Sequence, residues 1–410
     1  MSGSAPLRED GEWRKFFAAH AISVTGTALT TVVLPIAVYQ RTGSAGLTAL
    51  LTALQTVPYL VFGLFAGAIA DRHDRRRIML TADLSAAIVV ASVPIADAFG
   101  VLTTPHLVIV AAGLATCFVW FDAANFGAIP ALVGRDRVVR ASSAMWTFDS
   151  VALIVGPAVG ALIATTATPS IALAIDAVSY LGSAFLIRSV NRPMSVLAAR
   201  LSAGTVTLGQ TIAEGIRYLW SQRVLRALTL AGFGNSLSFG ALLGLTVPYA
   251  VRQLRLTDHD PRIGVLVAFG AVGALTAALT LPRIAGGQSP PRITTYGLFG
   301  GAVLMLVLAF TRSFALALPV WLFWQGSVEL AILTMMTYRQ KTVPDELMSR
   351  VNVVARMVAW GGQPFGAAIG GTIATVADTR IAIAVMVIPV AIAAITTARI
   401  LHHVDRRSAR

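Results

Sequence analysis

Six ionisable side chains stand where charge is rare. Asp83, Asp122, Asp149, Asp176, Glu329 and Arg356 each lie within long apolar runs. A charged group in hydrocarbon is costly, so each requires a cavity, a partner or a proton. A carboxyl in such a place can gain and lose a proton as its surroundings change, which is the chemistry of proton exchange. Asp149, flanked by Trp146 and Ser150, and Glu329, preceded by Trp324 and Gln325, are the preferred candidates. Their neighbours could line a substrate cavity. Asp122, Asp176 and Asp83 follow as further candidates. The plain alternative for each is a structural hydrogen bond or ion pair. Glu329 and Arg356 fall at comparable depth on successive helices and could pair, which would reduce their burial cost and keep Glu329 ionised.

The elements that must position these groups are apolar helices. Of 410 residues, 56% are apolar and 12% charged, against about 25% charged in a soluble domain. Residues 16–40 and 42–70 hold no Asp, Glu, Lys or Arg, and about 20 such residues cross a bilayer as a helix. The pattern predicts twelve crossings, near 16–40, 45–70, 78–97, 105–128, 141–165, 169–188, 224–250, 262–282, 293–311, 314–338, 350–377 and 380–399. Links on one side, with the termini, carry 25 of the 32 basic residues, and the opposite links carry 6. Basic links stay inside, so both termini are expected in the cytoplasm. Residues 190–222 are the long interior stretch that is not membrane-like. They divide the chain into a six-helix bundle at 1–189 and another at 223–410. Within the link, 209–220 could form an amphipathic helix that turns Ile212, Ile216 and Leu219 to one side.

The net charge of +13 reads as basic links of a membrane protein rather than nucleic-acid binding. No zinc or other metal motif, nucleophile–base spacing or phosphate-binding loop is present, so neither an enzyme, a cofactor nor an ATP-driven pump is expected. The one cysteine, Cys117, excludes an internal disulfide and is expected to pack. The polar N-terminus and the length of the first apolar run speak for a crossing rather than a cleaved signal.

The halves repeat weakly. At a shift of 210 residues, Ala152, Gly156, Gly160 and Ala164 fall on Gly362, Gly366, Gly370 and Ala374. A spacing of four places each set on one helix face, where small residues admit a close neighbour. Such stripes pack helices, form a moving interface, or both. Pro157 and Pro364 each remove one backbone donor. Two bundles rocking about a central site could open it to each side in turn.

The link after the second helix reads GAIADRHDRRRIM, residues 67–79. It resembles the signature of the major facilitator superfamily, with Gly67, Asp71, Arg72, Arg75 and Arg76 in place and Asp74 where that pattern has glycine. GPAVGA at 156–161, containing Gly156, Pro157 and Gly160, is similar to the glycine-proline motif of the superfamily's drug–proton antiporters, with alanines at two of its glycines. IPALVGRDRVVRAS and EGIRYLWSQRVLRAL resemble a branch containing bacterial macrolide and multidrug exporters and the enterobactin exporter. The fourth helix lacks the arginine found in many proton-coupled members.

The resemblance implies an all-α membrane protein with the twelve-helix major facilitator fold, in the bacterial inner membrane. It implies export of drugs or other small lipophilic molecules in exchange for protons, and a monomer is expected because one chain already contains both bundles. Siderophore export is the near alternative, and a non-transporting structural or signalling membrane protein the distant one. The implied gate places Asp71 against the eleventh helix, with Arg72, Arg75 and Arg76 pairing across the bundle seam. The expected partners are a small-molecule substrate, protons and lipid, with no nucleic acid.

Overall fold

The computed structural model describes residues 7–194, 208–284 and 289–408. The side chains of Asp71, Arg72, Trp146, Ser150 and Ile212 lie outside the described residues. The membrane helices are α1 Gly11–Thr42, α2 Ala45–Arg72, α3 Arg75–Ala98, α4 Thr104–Val133, α5 Val138–Thr166 and α6 Pro169–Ser189. Then come α7 Arg223–Gly244, α8 Arg262–Ile284, α9 Pro290–Phe310, α10 Phe314–Thr342 and α11 Asp345–Val376. The last helix, α12, runs as Thr379–Val385 and Ile388–Ser408. Among the described residues, 11 helices are long and apolar enough to cross a membrane. The twelfth, α11, falls short of that apolarity. Its sequence spends positions on Arg356, Gln363 and a run of glycines, of which 362, 366 and 370 pack on α7.

Side chains such as Ile88, Phe126, Val178 and Phe185 are largely exposed along the helices. So much apolar surface requires lipid around it. Helix starts follow ordinary capping. Asp74, Thr103 and Thr168 each accept a hydrogen bond from a first-turn amide of α3, α4 and α6, satisfying donors that a helix leaves open.

The chain divides into two compact units. Unit 1 is Met1–Arg41 with Leu54–Thr205, and unit 2 is Thr42–Ala53 with Val206–Arg410. One boundary, between Thr205 and Val206, falls within the 190–222 link, and another falls inside α2. The first turns of α2 belong with unit 2, for close-packing reasons. A Cβ on Gly371 would overlap Ala49, a Cβ on Gly244 would come 3.1 Å from the same residue, and the Arg252 guanidinium donates to the Gly43 carbonyl at 2.8 Å.

In unit 1, α3 packs on α4 and α6. The α5 stripe lies against α1, where a Cβ on Gly156 would come 2.6 Å from that of Ala28 and one on Gly160 would come 2.7 Å from the Leu29 carbonyl oxygen. Unit 2 repeats the arrangement. Its α11 stripe lies against α7, with Gly362 and Gly366 on the Phe233–Leu237 backbone and Gly370 on Ala241. Both stripes thus pack within their own unit. The linker forms an amphipathic helix, Leu208–Ser221. Leu219 is buried against Leu225, Val351 and Val354, while Ile216 stays exposed.

Candidate functional site

The interior of unit 1 holds a polar seam. Asp149 on α5 is not isolated: its Oδ1 lies 2.6 Å from Nε2 of His20 on α1. His20 is 6% exposed, and its Nδ1 lies 3.4 Å from the Asn125 side-chain nitrogen on α4. The Asp149 side chain is 38% exposed, so the pair has one buried member and one accessible member. Further along α1, Gly26 makes room for α6. A Cβ there would overlap Ser179 and the Asp176 carboxylate. Asp176 is fully buried and accepts hydrogen bonds from Thr30 and, at 3.1 Å, from Ser179. The Tyr180 and Thr27 hydroxyls are bonded at 2.9 Å. Asp83 on α3 is 1% exposed, and its Oδ2 and the Ser183 hydroxyl have no hydrogen-bond partner among the described residues. His20, Asp83, Cys117, Asp122, Asn125 and Tyr180 line one narrow cleft within this unit.

Four of the five candidate acids therefore belong to one unit. Asp176 is held by hydroxyls, Asp149 by an imidazole, and Asp83 and Asp122 border the cleft. Glu329, the fifth, is half-buried in α10. Among the described residues no ion pair joins it to Arg356. The Arg356 guanidinium lies over the Trp360 ring, 5.2 Å from its centroid. Equal depth did not mean a shared face, and the aromatic ring one turn along its own helix takes the charge. Trp324, expected at a cavity wall, is 3% exposed and stacks on Phe239 at 5.8 Å. Trp321 and Tyr249 continue that aromatic tier. Gly270 and Gly273 on α8 admit it, since a Cβ on either would strike Trp321 or the Leu322 backbone. Gln325 beside it is half-buried.

The described arginines of the motif make local contacts. Arg75 is 7% exposed and donates to the Gly127 carbonyl of α4 at 2.8 Å. Arg76 donates to the Arg192 carbonyl at 2.9 Å. Both of these contacts lie within unit 1, where glycine at 127 lets the Arg75 guanidinium lie directly on α4. A Cβ on Gly67 would meet nothing within 4 Å among the described residues.

A second cluster, absent from the sequence reading, fastens the arginine-rich end of unit 1. Asp10 accepts from Arg192 at 2.9 Å, Arg137 at 3.1 Å and the Trp13 amide at 3.3 Å. Glu12 accepts from Lys15 at 2.9 Å and the Asn191 amide at 2.5 Å. Arg192 also reaches the Leu132 carbonyl. This ties the ends of α1, α4 and α6 together. Burial pushes the Asp10 carboxyl up, but hydrogen bonds from Arg192, Trp13 and Arg137 outweigh it and hold the group below its ordinary 3.8.

A carboxyl with a depressed folded value stabilises the fold above its unfolded value, and that contribution fades as pH falls through the folded one. The melting temperature of the purified protein should therefore be steady through the weakly acidic range and drop below about pH 4. Asp10→Asn should lower it at neutral pH, by about 1–3 kcal/mol of stability, since Arg192 is part-exposed and the pairs fall between surface and buried values. Unchanged melting of this variant at neutral pH would remove the fastening role.

With this geometry in place, similarity to known proteins places the chain. The family model described as transmembrane secretion effector matches residues 1–408, and the chain belongs to that major facilitator family. It is 28% identical over 360 residues to the multidrug efflux pump Tap of Mycolicibacterium fortuitum, covering 86% of each chain. It is 28% identical over 231 residues to macrolide efflux protein A of Streptococcus pyogenes, 55% of this chain and 56% of that one. A bacterial homologue of the human lysosomal transporter Spinster superposes with a TM-score of 0.77 at 14% identity, over 97% of this chain and 98% of that one. That likeness shows the twelve-helix fold. The protein is thus a multi-pass membrane transporter of the major facilitator efflux type, and not an enzyme.

Proposed function

We infer that this transporter exports small lipophilic molecules across the bacterial inner membrane in exchange for protons, by alternating access. The observation that carries the reading is the half-open Asp149 carboxylate bonded to a buried imidazole inside an apolar bundle. Hydrocarbon tolerates such a pair where it handles charge. The Tap and macrolide-efflux relatives, named for multidrug and macrolide efflux, support export. Acidic groups bordering an apolar cleft favour a cationic cargo. With the basic links inside, both termini lie in the cytoplasm, and one chain, holding both bundles, works as a monomer in lipid.

The Asp71 motif gates the cycle in this reading. Asp71→Asn should lower transport while membrane insertion stays intact, and normal flux in reconstituted vesicles would refute the gate.

The export reading is tested by expressing the chain in a bacterium stripped of its own drug pumps. Raised tolerance to macrolides and lipophilic cations is expected. Unchanged tolerance, with secretion of siderophore under iron starvation instead, would replace the drug reading with the siderophore one. No effect in either assay would mean that the exported substrate belongs to neither class.

A further inference from the structure

His20 has a feature that a static ion pair does not need. An ionised carboxylate only accepts, so with Asp149 ionised the facing Nε2 would carry the ring hydrogen and Nδ1 would be bare. Nδ1 faces the Asn125 amide nitrogen, which can donate to it. The other end of that amide, Oδ1, is buried without a hydrogen-bond partner among the described residues. A half-turn of the amide about its terminal bond would exchange the two ends, which have nearly the same shape. Oδ1 would then accept from a protonated Nδ1. The present orientation thus suits neutral imidazole, and the turned one suits imidazolium and satisfies the orphaned oxygen.

We propose that His20 is the proton-carrying group of unit 1, with Asp149 as the counter-charge and Asn125 as the side chain that changes orientation with the charge. This rests on the antiport reading and names the group that performs it. A hydronium in the cleft gives its proton to the Nδ1 lone pair, leaving water, and the ring becomes imidazolium. Release runs the other way, from Nδ1–H to water. The ring and Asn125 border the cleft, which is the route by which water would reach the nitrogen that changes. The titratable groups facing it are Asp149 from α5, Asp83 from α3, Cys117 and Asp122 from α4 and Tyr180 from α6. No lysine or arginine lines the cleft among the described residues. The positive charge formed on the ring therefore meets the acids that line this cleft. Imidazole is also the side chain suited to changing charge under physiological conditions.

The test uses the full chain in proteoliposomes, with ethidium as probe and a trapped pH dye. The wild type should move protons with ethidium. In His20→Gln the protons moved per ethidium exchanged should fall by roughly 5–150-fold, the range of ordinary coupling. Asn125→Leu should cut the same coupling less severely, and it stands in if His20→Gln fails to fold. Nitrogen-labelled histidine NMR of the wild type at alkaline pH should show the Nε2–H tautomer for the ring whose signal vanishes in His20→Gln. A Nδ1–H tautomer would overturn the role of Asn125. A coupled wild type with equally coupled His20→Gln would overturn the assignment alone. A wild type that exchanges ethidium without moving protons would overturn the antiport reading, and the assignment with it.

Discussion

Gly366→Ala should lower the melting temperature of the purified protein by roughly 5–10 °C, the shift that about 3 kcal/mol produces in a domain of this size. A Cβ at 366 would overlap the Leu237 carbonyl group of α7, and backbone cannot swing aside as a flexible side chain can. The helix-propensity gain of alanine over glycine, about 1 kcal/mol, offsets only part of that. Gly67→Ala provides the contrast. Nothing described stands within 4 Å of its Cβ, so its melting should match the wild type. If Gly67→Ala nevertheless impairs transport, the glycine serves a conformation other than this one. Equal melting of Gly366→Ala and wild type would show that α7 and α11 do not meet as described.

Asp149→Asn should separate substrate movement from its driving force. Linkage is reciprocal: if proton binding changes substrate affinity by some factor, substrate binding changes proton affinity by the same factor. The asparagine keeps the size and one acceptor but removes the counter-charge beside His20. Accumulation against a gradient should fall by roughly 5–150-fold, while downhill exchange of ethidium across the same vesicles continues. A variant that loses both equally has lost the fold or the substrate site, and its melting curve distinguishes those. A variant that still accumulates ethidium would place the coupling elsewhere, with Glu329 of unit 2 next in line.

The helices were legible because lipid imposes a crude rule on sequence: length and apolarity. Their ends were not. The helix expected from 16 begins at Gly11 because Asp10, fastened by Arg137 and Arg192, sits at its start. The helix expected from 350 begins at Asp345 after Pro344. At α7 the regular helix stops at Gly244 and passes through Thr246–Pro248 into a wider-wound turn at Tyr249–Gln253, where a single run to 250 was expected.

The acids of the site stood out as charges out of place, but their partners did not. His20 lies 129 residues from Asp149, and Thr30 lies 146 from Asp176. Such pairs depend on which helix faces touch, and one sequence without its helix order in space does not contain that. A histidine and a threonine inside an apolar run are signals only in hindsight of the helices that meet them. The same gap explains Arg356. Depth along the chain suggested Glu329, while orientation gave it Trp360, on its own helix. The basic clusters were read by number, as anchors of orientation, and that count concealed a specific network in which Asp10 and Glu12 gather Arg137, Arg192 and Lys15.

The central claim is exchange of a lipophilic compound for protons, and vesicle flux measures it directly. Purified protein would be reconstituted in liposomes, a pH gradient imposed, and ethidium and radiolabelled erythromycin followed in turn. Accumulation that appears with the gradient, collapses when a proton ionophore dissipates it, and reverses with its sign is the expected result. Uptake indifferent to the gradient, or none with any compound of a broad panel, would contradict it.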